Sequence, residues 1–276
     1  MTLDPDWFPE HTGGTICPRA QARLYPYPAP SGDFWMRNGL PELRPDGITA
    51  DELAGRTAVI SVGSNRAPLQ LRRKFGLEAE LPVTACVLKD CDVVYAATLS
   101  YYCAAPATAC PSPGTSVTLN ITWLDDAQLL HMHDTEALGI AYDFVRLDDG
   151  CVDHGRRQGG AVFDQPVYGY QSRSGLYAPD GEPLAHALIP AEGRRFDAVT
   201  EDAVLTRIKA MAGKKMAGKK MAGAEDQPLD DWLDAMRADR QLRLQVMARM
   251  NEVMMPLPLA PWQVMDVAAA NPDEYL

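Results

Sequence analysis

The chain has 276 residues, 46% hydrophobic and 8% aromatic, enough apolar material for one sizeable core with appendages. With 37 acidic residues against 26 basic ones its formal charge is -11, which argues against a general nucleic-acid or acidic-membrane binder, because such surfaces cluster Lys and Arg. No apolar run approaches the roughly 18 residues that span a bilayer, and the acidic, aromatic opening MTLDPDWFPEH is unlike a secretory leader, so a cytoplasmic protein with no membrane partner is expected.

Residues 1–55 form a first segment, rich in proline and aromatics over its first 46 positions and without periodicity, as in LYPYPAPSGDFW. This is poor helix or sheet sequence, but its aromatics set it apart from a disordered tail. An extended arm lying on the body is expected, with PYPAP as a polyproline ligand the alternative.

Residues 56–208 carry the main domain. The β-branched run Thr57–Val62 predicts a strand that ends at Gly63-Ser64-Asn65, and a helix is expected after Pro68. Further strands are predicted at Leu81–Leu88, Asp92–Leu99 and Ser116–Trp123, the last with Val117, Leu119, Ile121 and Trp123 on one face. Asp125 or Asp126 caps a helix over Gln128–Thr135. Strands follow at Tyr142–Leu147 and Pro166–Gln171, then a helix from about Thr200 through Leu205 and Ile208. Strands mixed with short helices predict an α/β or α+β domain.

Residues 209–224 read as a linker. Ala210–Gly223 is a tandem MAGKK repeat whose glycines weaken a helix, and it concentrates the chain's lysines. Residues 225–276 predict a helical extension, with an apolar stripe over Leu229–Met254 that includes Trp232, Leu233, Met236, Val246 and Met250. The stripe packs on the chain's own core or, alternatively, on a second copy in a homodimer.

Six cysteines, at 17, 86, 91, 103, 110 and 151, include no C-x-x-C pair and predict reduced thiols rather than zinc ligands or a disulfide framework. His131, His133 and Glu136 spell H-x-H-x-x-E, but residues two apart diverge by about 200° on a helix, which argues against a shared metal. No metal and no organic cofactor is expected.

Glu136 is the leading catalytic candidate. At about 100° per residue it shares a narrow helical sector with Leu129 and Met132, so burial of those two also draws in the carboxylate. A buried carboxylate needs a partner, or desolvation raises its pKa toward neutrality, where it can shuttle protons. His133 lies on the same face and is a candidate to bond Glu136 or substrate, the plainer reading being a histidine satisfied near a helix end. Gly63-Ser64-Asn65, where a strand gives way to a helix, offers N–H groups to an anion but lacks the spacing of dinucleotide or phosphate loops. Arg66 and Arg72 read as solvated surface cations, with carboxylate pairing the alternative.

The order of these features, TAVISV then Gly63-Ser64-Asn65, ATACPSPGTSV, a strand ending in Trp123-Leu124 and a Leu-x-x-Met-x-x-x-Glu helix closing at Gly139, resembles the gamma-glutamyl cyclotransferase family over residues 57 to 190. The resemblance implies a small barrel-like mixed sheet with flanking helices, the C-terminal helices being an extension. It implies a small-molecule gamma-glutamyl substrate whose α-amino acid end is gripped by Gly63, Ser64 and Asn65, with Glu136 as acid and base. In the family's reaction the substrate's own α-amine attacks its γ-carbonyl, closing 5-oxoproline and expelling an amine. Val62 stands where the family carries tyrosine, and Tyr168, Tyr170 or Tyr177 would have to supply the lost hydroxyl. The alternatives are a non-catalytic binding or assembly protein on the same fold, and a related gamma-glutamyl removal step in a biosynthetic pathway.

Overall fold

A computed structural model describes residues 11–12, 15–154, 165–213, 227–258 and 262–269. The protein is a mixed α/β structure built on one large, mostly antiparallel sheet. Its centre is formed by β3 (Thr57–Ser61), β4 (Leu81–Tyr95), β5 (Ala107–Leu124), β6 (Tyr142–Arg146) and β7 (Val167–Ser172), in the order β4-β5-β3-β7-β6. Neighbours run antiparallel except β3 and β7, which are parallel. Short strands at Ala198–Val199 and Gln263–Val264 end the two sides, so the sheet is open and does not close into the barrel implied by the family resemblance.

The two long strands replace three shorter predicted ones. β4 joins the segments read as Leu81–Leu88 and Asp92–Leu99, and β5 begins well before Ser116. The interruption is a bulge: pairing passes from Lys89↔Ser116 to Cys91↔Pro111, with Asp90 at φ 55. The Asp90 carboxylate accepts from the Gly114 N–H at 2.8 Å, which satisfies the extra residues without ending the ladder.

The segment before β3 holds regular structure that its composition hid. Helix α1 (Pro18–Arg23) opens with proline at its first position, where no N–H is needed. β1 (Phe34–Arg37) and β2 (Leu40–Leu43) form a hairpin, and β1 pairs with β4. Asn38 and Gly39 both take positive φ, 50 and 68, the two-residue turn that matches strand twist.

Apolar side chains fill both faces of the sheet. Ile60, Leu88, Val93, Val117, Leu119, Ile121 and Trp123 pack on one face. On the other, Val59, Val83 and Leu124 meet Leu71 of α2 (Pro68–Phe75) and Met132 of α3 (Asp126–Thr135). A third cluster gathers α4 (Glu201–Gly213), α5 (Leu229–Ala238) and α6 (Arg240–Glu252) around Tyr95 and Tyr177.

The helical stretch expected over Leu229–Met254 consists of two helices. Asp239 leaves helical geometry at φ -120, ψ 102 and caps α6 by accepting from the Gln241 and Leu242 N–H groups at 2.8 and 3.1 Å. The stripe of Trp232, Leu233, Met236, Val246 and Met250 packs on the chain's own core. The MAGKK repeat lies outside the described residues beyond Gly213. Among the described residues no helix is long and apolar enough to cross a membrane.

Candidate functional site

β3 delivers the chain to a tight turn on the face covered by α2 and α3. After Gly63 a 3-10 turn, Ser64–Arg66, closes with Arg66 N–H on the Gly63 carbonyl at 3.2 Å and Ala67 N–H on the Ser64 carbonyl at 2.9 Å. Ala67 is extended and Pro68 starts α2 with φ already set, so the turn passes directly into a helix. Gly76, at φ 81, stops α2.

α3 starts from a capping box: the Asp125 carboxylate accepts the Gln128 N–H at 2.8 Å while the Gln128 side chain accepts the Asp125 N–H at 3.1 Å. Glu136 sits just past the last helical residue as the C-cap. It is pinned from two sides. The Asn65 amide donates from Nδ2 to Glu136 Oε1 at 2.9 Å, and the Lys74 ammonium forms an ion pair with the same oxygen. The Lys74 and Glu136 side chains are only 9% and 13% exposed, so the pair is largely shielded from water. The Met132 sulfur lies against both donors, at 3.5 Å from Lys74 Nζ and 3.8 Å from Asn65 Nδ2.

Two acceptors here lack a donor. Oε2 of Glu136 has no hydrogen-bond partner among the described residues. Asn65 Oδ1 is enclosed and likewise unpartnered, because donation from Nδ2 to the carboxylate turns the carbonyl end away. An enclosed acceptor without a donor costs about 1–3 kcal/mol, which a ligand N–H would return.

The carboxylate's counter-ion, Lys74, escapes the motif reading. The clue in the sequence is sparse: five of the seven lysines fall within residues 209–220, and RRKFG and LKDC hold the other two. Lys74 stands three residues after buried Leu71, on the same side of α2, which turns its stem toward α3. His131 caps this helix end, its Nε2 at 2.7 Å from the Lys74 carbonyl oxygen.

Among the described residues no hydrogen bond joins His133 to Glu136. It is buried, its Nδ1 lies 2.7 Å from the Tyr170 hydroxyl, and Phe144 meets its ring edge-on at 4.7 Å. Burial pushes its pKa down. His131 and His133 thus face different partners, as the helical period requires. Burial and then the nearby Glu136 charge push the Tyr142 and Tyr170 hydroxyls up. Tyr168 is half-buried and stacks on Phe144 at 5.1 Å, whereas Tyr177 belongs to the helical cluster. Among the described residues no group of three or more His, Cys, Asp and Glu side chains is placed to hold a metal ion.

The hydroxyl nearest the Gly63 loop comes from a residue outside the predicted set. Tyr25, four per cent exposed, accepts the Ala107 N–H at 2.9 Å through its hydroxyl oxygen. A Cβ on Gly63 would overlap that oxygen. Gly63→Ala is therefore expected to displace Tyr25 from Ala107 and cost about 1–3 kcal/mol in urea unfolding. Part of the loss should return in a Tyr25→Phe background, and a strictly additive pair would show that the two residues do not collide.

A cavity of about 210 Å³ opens between Arg146–Gly150 and Gln165–Val167. It lies at the far end of β6 and shares no lining residue with the Glu136 site.

No protein-family model and no curated protein sequence matches the chain. Among solved structures, one described as "Gamma-glutamyl cyclotransferase" aligns with 76% of this chain and 94% of its own, at 11% identity and a TM-score of 0.33.

Proposed function

We propose that the chain is a gamma-glutamyl cyclotransferase-like enzyme that cyclises a gamma-glutamyl amine or amide to 5-oxoproline and releases the amine. The observation that carries this reading is the Asn65–Glu136 pair: a loop amide holds one carboxylate oxygen and leaves the other oxygen and its own carbonyl unpartnered. An α-ammonium presents several N–H donors, which suits Glu136 Oε2 and Asn65 Oδ1 together.

Glu136 takes a proton from the α-ammonium, since only the free amine is nucleophilic. The amine nitrogen then bonds to the γ-carbonyl carbon, and the C–N bond to the leaving amine breaks. The proton held by Glu136 passes to the leaving nitrogen, and the freed carboxylate then takes the second proton from the new ring nitrogen and hands it to the released amine, which departs as an ammonium, so one carboxylate serves as base and then acid. Asn65 and the Gly63 turn restrict the substrate to conformers in which amine and carbonyl meet. The step as written uses no metal or organic cofactor.

One observation favours a second reading, a binding or assembly protein on this fold. The Lys74 ammonium already neutralises Glu136, as an ion pair with a purely structural role would. The readings separate in one assay: the full chain is incubated with gamma-glutamyl amino acids, gamma-glutamyl amines and glutathione, and 5-oxoproline is measured by mass spectrometry. Product identifies the enzyme and its leaving group. Its absence from well-folded protein across the mixture overturns the enzyme reading.

A further inference from the structure

Arg66 is the last residue of the turn that carries Ser64 and Asn65, and it is not the surface cation its sequence context suggests. It is 7% exposed. Its Nε donates to the Asn120 side-chain oxygen on β5 at 3.2 Å. Neither terminal nitrogen, Nη1 or Nη2, has a hydrogen-bond or ion-pair partner among the described residues. Neither belongs to the fully enclosed unpartnered polar atoms, so both keep some accessible surface.

Other arginines of this acidic chain show the ordinary arrangement. Arg23 bonds Asp202 and Asp230, Arg44 bonds Glu52, and Arg194 bonds buried Asp92. Arg66 alone in this comparison has its charge inside the protein without a carboxylate, and burial pushes its pKa down to about 10. Holding a guanidinium out of water with one neutral partner costs stability. With Nε fixed on Asn120, the Nη1 and Nη2 edge is left as a planar two-pronged donor, the geometry that accepts a carboxylate bidentately.

We propose that Arg66 is an anion-binding residue, its Nη1–Nη2 edge receiving a carboxylate of the ligand that enters beside Asn65. The identity of the carboxylate's owner rests on the gamma-glutamyl reading: it is either the α-carboxylate of the gamma-glutamyl group or the carboxylate of a leaving amino acid. Each defines a substrate class, since only the second excludes simple amines as leaving groups.

The test is calorimetric binding to the full chain, independent of turnover. Three probes are used: glutarate, gamma-glutamylmethylamide, which has only the α-carboxylate, and 4-aminobutyrylglycine, which has only the leaving-side carboxylate. Glutarate and one of the other two are expected to bind, with affinity falling about tenfold or more in Arg66→Met. Arg66→Lys, which keeps the charge and loses the fork, should fall by less. Arg66→Met should also melt at the same or a higher temperature without ligand, because an uncompensated buried charge is gone. The inference is overturned if no probe binds the natural chain, or if both Arg66 variants bind every probe as tightly. Carboxylate binding that depends on Arg66, without any 5-oxoproline formation, would leave this inference standing and remove the enzyme reading.

Discussion

Glu136→Gln is expected to lower 5-oxoproline formation by about 10²–10⁴-fold, the range over which a positioned acid–base group contributes. Glutamine keeps the shape and the acceptor that Asn65 Nδ2 requires, so the loop geometry is retained, but an amide cannot take the α-ammonium proton. The same change also removes the counter-ion of Lys74. Breaking a fully buried pair by deleting one partner costs about 3–5 kcal/mol, and the residual exposure of 9% and 13% reduces that here. Urea unfolding should therefore show a measurable loss in Glu136→Gln, most of it recovered in the Glu136→Gln, Lys74→Met double variant. Turnover should remain absent in both. Undiminished turnover in Glu136→Gln would refute the assigned role, whatever the stability data show.

The second large effect is on stability against pH, and it arises from His186 and Glu201. His186 is fully buried, with both ring nitrogens unpartnered and Nε2 at 3.7 Å from Glu201 Oε2. Burial, then the charges of Arg194 and Arg66, push it down to about 3. Glu201 is also buried, accepts the Ala105 N–H at 2.7 Å through Oε1, and is pushed well above its ordinary value by burial. The imidazole is therefore neutral at neutral pH, and burial favours the protonated carboxyl beside it.

The two groups pull stability in opposite directions. The folded His186 binds fewer protons than the unfolded one between about pH 3 and the unfolded value near 6.5, so its contribution is full above 6.5 and is lost as pH falls. The folded Glu201 binds more protons than the unfolded one above about pH 4.5, so its contribution declines as pH rises from there. Above about pH 4.5 the two slopes oppose each other, so the rise from His186 is offset by the decline from Glu201. His186→Gln should remove the acid limb and expose a decline beginning near pH 4.5. Glu201→Gln should remove the alkaline decline and extend the rise to about 6.5. Denaturant midpoints from pH 3 to 8 check both; variants whose profiles parallel the natural chain would show that neither group titrates differently on folding.

The succession of strand, turn, helix and capped helix around Glu136 was legible because each boundary has a local chemical signal. Pro68 sets the start of α2, and Asp125 with Gln128 sets the start of α3. The β1–β2 hairpin was hidden by proline-rich neighbours, although Asn38-Gly39 is a strong short-range hairpin signal. The long β4–β5 ribbon was cut in pieces because a bulge, satisfied by Asp90 reaching Gly114, resembles a turn when only one strand is in view. Lys74, Arg66 and Tyr25 have no such local mark. Their positions follow from helix packing and from an amino-terminal segment folding back on the Gly63 turn, contacts between residues far apart in the chain. Periodicity placed Glu136 near Met132 but had no means of finding its cation on another helix.

The attachment of α1 has a consequence for the order in which the molecule can be completed. Arg19 and Arg23 bond Asp234 and Asp230, which come 215 and 207 positions later, and Arg23 also bonds Asp202, 179 positions later. At about 5–20 residues per second, a ribosome needs roughly 10–40 s to cover such a gap. Throughout that interval the helix has been made and its acidic seat has not. Tyr25, two residues beyond Arg23, meets the Gly63 turn and accepts the Ala107 N–H, partners that are made long before α5, so this brace can form while α1 still lacks its acidic contacts. A nascent chain halted before Leu229 would carry Asn65, Lys74 and Glu136 in full and still lack the acidic helix α5 on which α1 is moored.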